Sequence, residues 1–201
     1  MKKEYSLMKI TSKFGGSIIY MLMLLCVFFT FSCNNKKKNK VKEDFIAIES
    51  EPIKIPLSKM ERLYSDNDTI HYCNQKSKYK LIHFIDSTKC SVCAIDMFFH
   101  WNHFINADYN KRVDFIFIVE PNMEHIDDIV FAIQSCGLQR PVFVDKKKQF
   151  RLFNPQIANR PQYDCFLLDS NNKVIFIGNP LIFKNIQEQY IKIVSNKTNK
   201  R

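Results

Sequence analysis

The chain has 201 residues, 46% of them hydrophobic, with 18 Phe and only 4 Gly, which is enough apolar material for one cored domain and excludes collagen-like or glycine-rich classes. Its formal charge of +10 would suit a nucleic-acid binder, but between Glu43 and Asn196 there are 18 Lys and Arg against 19 Asp and Glu. A near-neutral middle with basic ends excludes a nucleic-acid surface and fits anionic lipid headgroups instead.

The leader comes first. Lys2, Lys3, Lys9 and Lys13 precede an unbroken apolar run from Ser17 to Phe31, which closes on Ser32-Cys33-Asn34-Asn35. That is the tripartite build of a secretory signal, with an apolar middle shorter than a membrane span of ~20 residues. Thr30-Phe31-Ser32-Cys33 resembles a bacterial lipoprotein processing box, with Phe31 where a smaller residue is usual. The resemblance implies a lipidated Cys33 as the first mature residue. An uncleaved N-terminal anchor is the alternative, and both put the domain outside the cytoplasm. The resulting division is a signal peptide over 1–32, a lipidated and basic tether over 33–50, a folded domain over 51–196 and a basic tail over 197–201.

After the tether, Phe45 to Ile48 and Ile53 to Leu57 read as short strands at a sheet edge, where Pro56 is tolerated, and Ser58 to Tyr64 as a helical turn. Leu81 to Ile85 is an apolar run suited to a buried strand. A polar turn, Asp86-Ser87-Thr88-Lys89, leads from it to Cys90-Ser91-Val92-Cys93. From Ala94 onward, Ala94, Met97, Phe98, Trp101 and Ile105 follow helical spacing and predict one broad apolar face.

A second buried strand is predicted over Arg112–Val119. A helix follows over Glu124–Ser135, with Ile126, Ile129, Val130 and Ile133 inward and Gly137 at its C-terminal end. Pro141–Val144 is a third strand, followed by a short helix near Gln149–Phe153. Cys165–Leu168 and Lys173–Ile177 flank the polar turn Asp169-Ser170-Asn171-Asn172, which predicts a β-hairpin. The last helix is expected over Leu181–Val194, with Ile182, Ile186, Tyr190, Ile193 and Val194 on one side. Strands alternating with helices imply parallel pairing, and the terminal hairpin adds an antiparallel edge. The expected fold is therefore α/β, a central mixed sheet flanked by helices, with an N-terminal strand extension.

Two cysteines between a strand and a helix start suit thiol–disulfide exchange. The thiolate is the reactive form, and a free Cys of pKa ~8.5 is mostly protonated at neutral pH, so a helix N-terminus that favours negative charge activates it. Cys90, at the exposed end, is the expected nucleophile. Cys93, one turn in and more buried, is the expected resolving thiol, and Lys89 adds a positive charge that lowers the Cys90 pKa. The chemistry lies in the two sulfurs and implies no cofactor and no metal. Other readings of the pair stay open: a static disulfide, a zinc site shared with His100 and His103, or a vestige on a binding module. Cys73 and Cys136 lack evident partners, Cys165 reads as a buried packing residue of the hairpin strand with an auxiliary redox role as the alternative, and His83, alternating with apolar residues, reads as a satisfied buried histidine.

The element order with Cys90-x-x-Cys93 after the first core strand, together with Phe166-Leu167-Leu168-Asp169…Lys173-Val174, resembles the thioredoxin fold, and more closely the envelope-tethered TlpA and ResA kind. The resemblance spans roughly Ile53 to Val194. It implies a thiol–disulfide oxidoreductase of the bacterial cell envelope whose partners are protein thiols or disulfides, a further electron-exchange partner and the membrane that holds the lipid.

Two positions depart from the family pattern. Lys89 replaces an aromatic before the first Cys, and the cis-proline that packs on the dithiol falls, by counting back from Phe166, on Tyr163, or on Pro161 if the loop is two residues longer. Lys89, Pro161 and Tyr163 are thus the expected modulators of the pair. The buried acid six residues before the first Cys in thioredoxin itself is Phe84 here, and its role does not transfer to Asp86. The Pro-x-x-x-Thr-x-x-Cys arrangement of a peroxiredoxin is absent around Cys90. The rival function is a non-catalytic thioredoxin-like binding lipoprotein whose Cys pair is structural or vestigial.

Overall fold

The structure, a computed structural model, describes residues 21, 40–65, 77–158, 160 and 162–195. The leader other than Met21, the lipidation candidate Cys33, Cys73, Pro161 and the basic tail lie outside the described residues. The chain divides into a leading unit that ends at Ile46 and a main unit that begins at Ala47. None of the described helices is long and apolar enough to cross a membrane.

Among the described residues a six-stranded sheet has the order β1-β4-β3-β2-β5-β6. The strands are β1 (Glu61–Leu63), β2 (Tyr79–Ile85), β3 (Val113–Val119), β4 (Val142–Val144), β5 (Cys165–Leu168) and β6 (Val174–Ile177). β2, β3 and β4 run parallel, while β1 joins β4 antiparallel. The hairpin β5–β6 adds to the other side of β2, also antiparallel. The sheet is mixed, as alternating strands and helices with a final hairpin require.

β2 and β3 are buried on both faces, which is why they read as continuous apolar runs. One face packs under α2 (Ser91–Asp96), α3 (Phe99–Ile105), α4 (Ile126–Ser135) and α7 (Lys184–Ser195). Leu81, Ile85, Phe115, Phe117, Cys165 and Leu167 meet Phe98, Trp101, Phe104, Ile133 and Tyr190 there. The rings stack edge-on or tilted, with Trp101 at 5.4 Å from Phe117 and Phe98 at 5.0 Å from the same ring. The opposite face presents Ile82, Phe84, Ile116, Ile118, Phe166 and Leu168. They are covered by Ile48, Ile53, Phe150 of α5 (Gln149–Phe153) and Ile157 of α6 (Pro155–Ala158).

The N-terminal expectations need correction. Residues 40–49 are helical (α1), not a strand, and Ile48 at 0% exposure supplies the inward contact. Alternation over four residues is too short to separate the two periods. Ile53 to Pro56 are irregular, Leu57–Lys59 form a 3-10 turn, and the strand falls at β1, where a helical turn was expected. Pro52 and Pro56 explain why the segment cannot join the sheet earlier, since each removes a ladder donor.

Met97 is exposed rather than on the inward face, because the helix breaks at Met97–Phe98 into α2 and α3 and turns Ile95 and Phe98 inward instead. Ile182 is likewise exposed, since α7 starts only at Lys184, and Ala132 joins Ile129 and Ile133 as the buried stripe of α4. Gly137 does close α4, with φ +68, in the left-handed region that favours glycine after a helix.

Candidate functional site

The Cys90–Cys93 pair stands beyond the carboxyl end of β2, where the sheet stops and a side-chain-built loop begins. Asp86 is buried and turns its carboxylate back into that loop, accepting from the Thr88 backbone N–H (2.8 Å) and from the Thr88 hydroxyl. Its carbonyl accepts the Lys89 N–H at 3.1 Å. Asp86 is thus spent on loop geometry. Ser87 reaches the other way, donating its hydroxyl to Glu120 at 2.7 Å.

Glu120 directly follows β3 and its side chain is fully buried. Arg151 grips it with two bonds, Nε to Oε2 at 2.7 Å and an η nitrogen to Oε1 at 2.8 Å, and Lys148 stands 3.5 Å away. Burial pushes the Glu120 carboxyl up, but the bonds from Arg151 and Ser87 and the charges of Arg151 and Lys148 outweigh it. The net result lies below the ordinary carboxylate value. Arg151 also donates to the Ala158 carbonyl at 3.2 Å. One ion pair therefore braces the loop before Cys90 against the segment that leads to β5.

Cys90 is the N-cap of α2, and its sulfur accepts the Cys93 backbone N–H at 3.4 Å. The two sulfurs lie at disulfide distance, with Cα atoms 5.4 Å apart. Both cysteines are exposed. Cys93, expected one turn in and more buried, is itself exposed. The inward face of α2 is carried by Ser91 and Ile95, four apart, and Cys93 falls outside it.

Lys89 does not stand alone beside the pair. Its ammonium is held by Asp164 at 2.7 Å, and Asp164 immediately precedes β5. The Asp164 carbonyl accepts the Phe84 N–H at 2.7 Å and faces His83 Nδ1 at 3.3 Å. A carbonyl only accepts, so this contact puts the proton on Nδ1 and leaves Nε2 as an acceptor. His83 is buried among Phe98, Trp101 and Phe117, and burial pushes its pKa below the ordinary value against the opposing pull of Asp164. In the β2–β5 register His83 lies opposite Cys165, whose buried thiol is pushed well up.

His83 and Asp164 also line a cavity of about 590 Å³, whose other walls include Ala94, Met97, Trp101, Leu181 and Ile182. Tyr163, the other expected modulator among the described residues, packs on the opposite sheet face with Ile82 and Phe166. Among the described residues no three His, Cys, Asp or Glu side chains are grouped to hold a metal ion, His100 and His103 included.

Lys89, Cys90 and Cys93 stand together at the start of α2, Lys89 tied to Asp164. Sequence reasoning missed Asp164 and the Glu120–Arg151 brace. Their one visible signal was an acid directly bounding each apolar strand.

No family model matches the sequence, and no curated protein matches it. Among solved structures, the chain is similar to the thioredoxin domain of a thiol-disulfide oxidoreductase from Bacteroides vulgatus, at 18% identity over 60% of this chain and 81% of that one, TM-score 0.46. It is similar to a thiol:disulfide interchange protein from Bacteroides sp. at 12% identity over 70% and 90%, TM-score 0.42. It is also similar to an exposed lipoprotein thioredoxin from Streptococcus pneumoniae at 16% identity over 59% and 87%, TM-score 0.40. By its own strand order, with parallel β4-β3-β2 extended by an antiparallel hairpin and a Cys-x-x-Cys between β2 and α2, the domain has a thioredoxin-like fold.

Proposed function

We propose that this protein is a thiol–disulfide oxidoreductase working through Cys90 and Cys93, carried outside the cytoplasm of a bacterial cell by a lipid on Cys33. The observation that carries the reading is the exposed Cys90–Cys93 pair at disulfide distance on a strand-to-helix junction, with a backbone N–H aimed at the Cys90 sulfur. That N–H favours the thiolate over the thiol.

In the reducing direction the Cys90 thiolate attacks one sulfur of a partner disulfide. A Cys90–partner bond forms, and the other partner sulfur leaves as a thiolate that takes a proton from water. The Cys93 thiolate then attacks the Cys90 sulfur, closing the Cys90–Cys93 bond and releasing the second partner thiol. Two electrons pass to the partner, and the protein ends oxidised. The same steps in reverse oxidise a dithiol. Which direction prevails depends on the potential of the pair against that of its compartment.

The test is covalent trapping. Cys93→Ser accumulates mixed disulfides on Cys90, whereas Cys90→Ser traps poorly. Wild type titrated across a glutathione redox series passes from alkylatable to protected within the series. A pair that stays oxidised throughout, with neither variant trapping anything, would identify the rival, a binding lipoprotein with a structural disulfide.

A further inference from the structure

Lys89 and Asp164 form a mounted charge pair at the redox site. The lysine precedes Cys90, and its backbone is fixed by the Asp86 carbonyl, within a loop pinned to Glu120 through Ser87. The aspartate is fixed by its own carbonyl, which accepts the Phe84 N–H and faces His83. The ammonium and carboxylate meet at 2.7 Å, with side chains 32% and 27% exposed, so they are neither freely screened by water nor fully desolvated.

Behind Ser87 on the same loop, the charges of Glu120, Arg151 and Lys148 are tied to one another. Asp86, on the same loop, is turned into its own turn; Asp96 ends α2; His83, from β2, is held neutral by burial. Lys89 adjoins Cys90 in the chain, and Asp164 is the ion-pair partner of its ammonium. A lone lysine next to Cys90 would favour the thiolate. A lysine whose ammonium is held by a carboxylate has most of that field cancelled.

We infer that Asp164 sets the acidity of Cys90: by holding the Lys89 ammonium it keeps the Cys90 thiol less acidic, and the pair more reducing, than the lysine alone would make them. Asp164 touches no reacting atom and is a positioning residue. Its effect on potential rests on the exchange reading above, while its effect on acidity does not. Stabilising the Cys90 thiolate favours the reduced form at neutral pH, so a more acidic thiol means a more oxidising pair.

Opposite signs make the test decisive. The full-length protein is prepared as Asp164→Asn, Lys89→Gln and the double variant, each with and without Cys93→Ser. In the Cys93→Ser background, alkylation rate against pH reports the acidity of Cys90. Asp164→Asn should raise its acid constant about three- to tenfold, Lys89→Gln should lower it by a similar factor, and the double variant should return to within about twofold of the parent.

With both cysteines present, the glutathione equilibrium should move the same way, with tenfold corresponding to about 30 mV. Coincident alkylation profiles for all four forms, or single variants shifting in the same direction alongside lowered thermal stability, would reduce the pair to a structural salt bridge and overturn the inference. A protein that never exchanges with glutathione sinks the oxidoreductase reading instead, and the alkylation profiles still decide the role of Asp164.

Discussion

His83 shows what a single buried base does to this protein. Its Nδ1 is tied to the Asp164 carbonyl, and its ring sits among Phe98, Trp101 and Phe117. Burial lowers its pKa, so the unfolded chain takes up the proton more readily than the folded one. Stability contributed by the neutral ring is fully present above the ordinary histidine pKa of about 6.5. It falls as pH drops from there toward the folded value, and is flat below it. Urea midpoints measured from pH 7.5 to pH 5.5 should therefore fall for the native protein, and His83→Leu should flatten that limb. An equally steep limb in the variant would assign the loss to other groups. Glu120 acts in a lower window, because its folded pKa lies below the carboxylate value and its contribution is lost only as pH falls through that point. From sequence, His83 was legible as buried but not as a neighbour of Asp164, since the β2–β5 register that joins them spans 81 residues.

The elements share a device. Each strand from β2 to β5 is followed at once by an acid that organises the next loop: Asp86 caps its own turn, Glu120 binds Ser87 and Arg151, and Asp145 accepts the Gln149 and Phe150 N–H groups at 2.8 and 2.7 Å. Asp169 accepts from Asn171 and Lys173 to close the hairpin. With only 4 Gly in the chain, turns are shaped by side-chain acceptors instead of by backbone permissiveness. The long strands, the hairpin and the redox helix start were legible because apolar runs and turn residues are local signals. The segment 51–57 was not, since it is held by distant partners. Fully buried Asn154 accepts the Lys54 N–H and donates to the Lys54 carbonyl, both at 2.8 Å, and also donates to Phe150. Asn154→Ala leaves both Lys54 groups unpaired and should cost about 2–3 kcal/mol. Denaturant midpoints read the loss, and faster amide exchange at Ile53 to Ile55 locates it. Unchanged exchange there would mean the clamp is redundant.

At the scale of the whole molecule the working parts gather at one end of the sheet. The loop before Cys90, Glu120 and Asp145 hang from the carboxyl ends of the parallel strands, and Asp164 enters from the start of β5. The basic excess lies outside the near-neutral domain, beginning with Lys36, Lys37 and Lys38 just after Cys33. A single lipid chain binds membranes only marginally, and adjacent lysines add to it through anionic headgroups. With the proposed lipid on Cys33, Cys33→Ser should move the protein from the membrane to the soluble fraction of fractionated cells while leaving Cys90 alkylation kinetics unchanged. A variant that still sediments with membranes would favour an uncleaved anchor over a lipid.

The contact between Lys89 and Asp164 joins residues 75 apart in the chain. On the acidity argument above, its consequence is one of timing. In a chain that emerges amino end first, Cys90 and Cys93 precede Asp164, and the lysine lacks this partner until that residue follows. The surroundings that set the acidity of the pair are therefore complete only when the hairpin docks against β2.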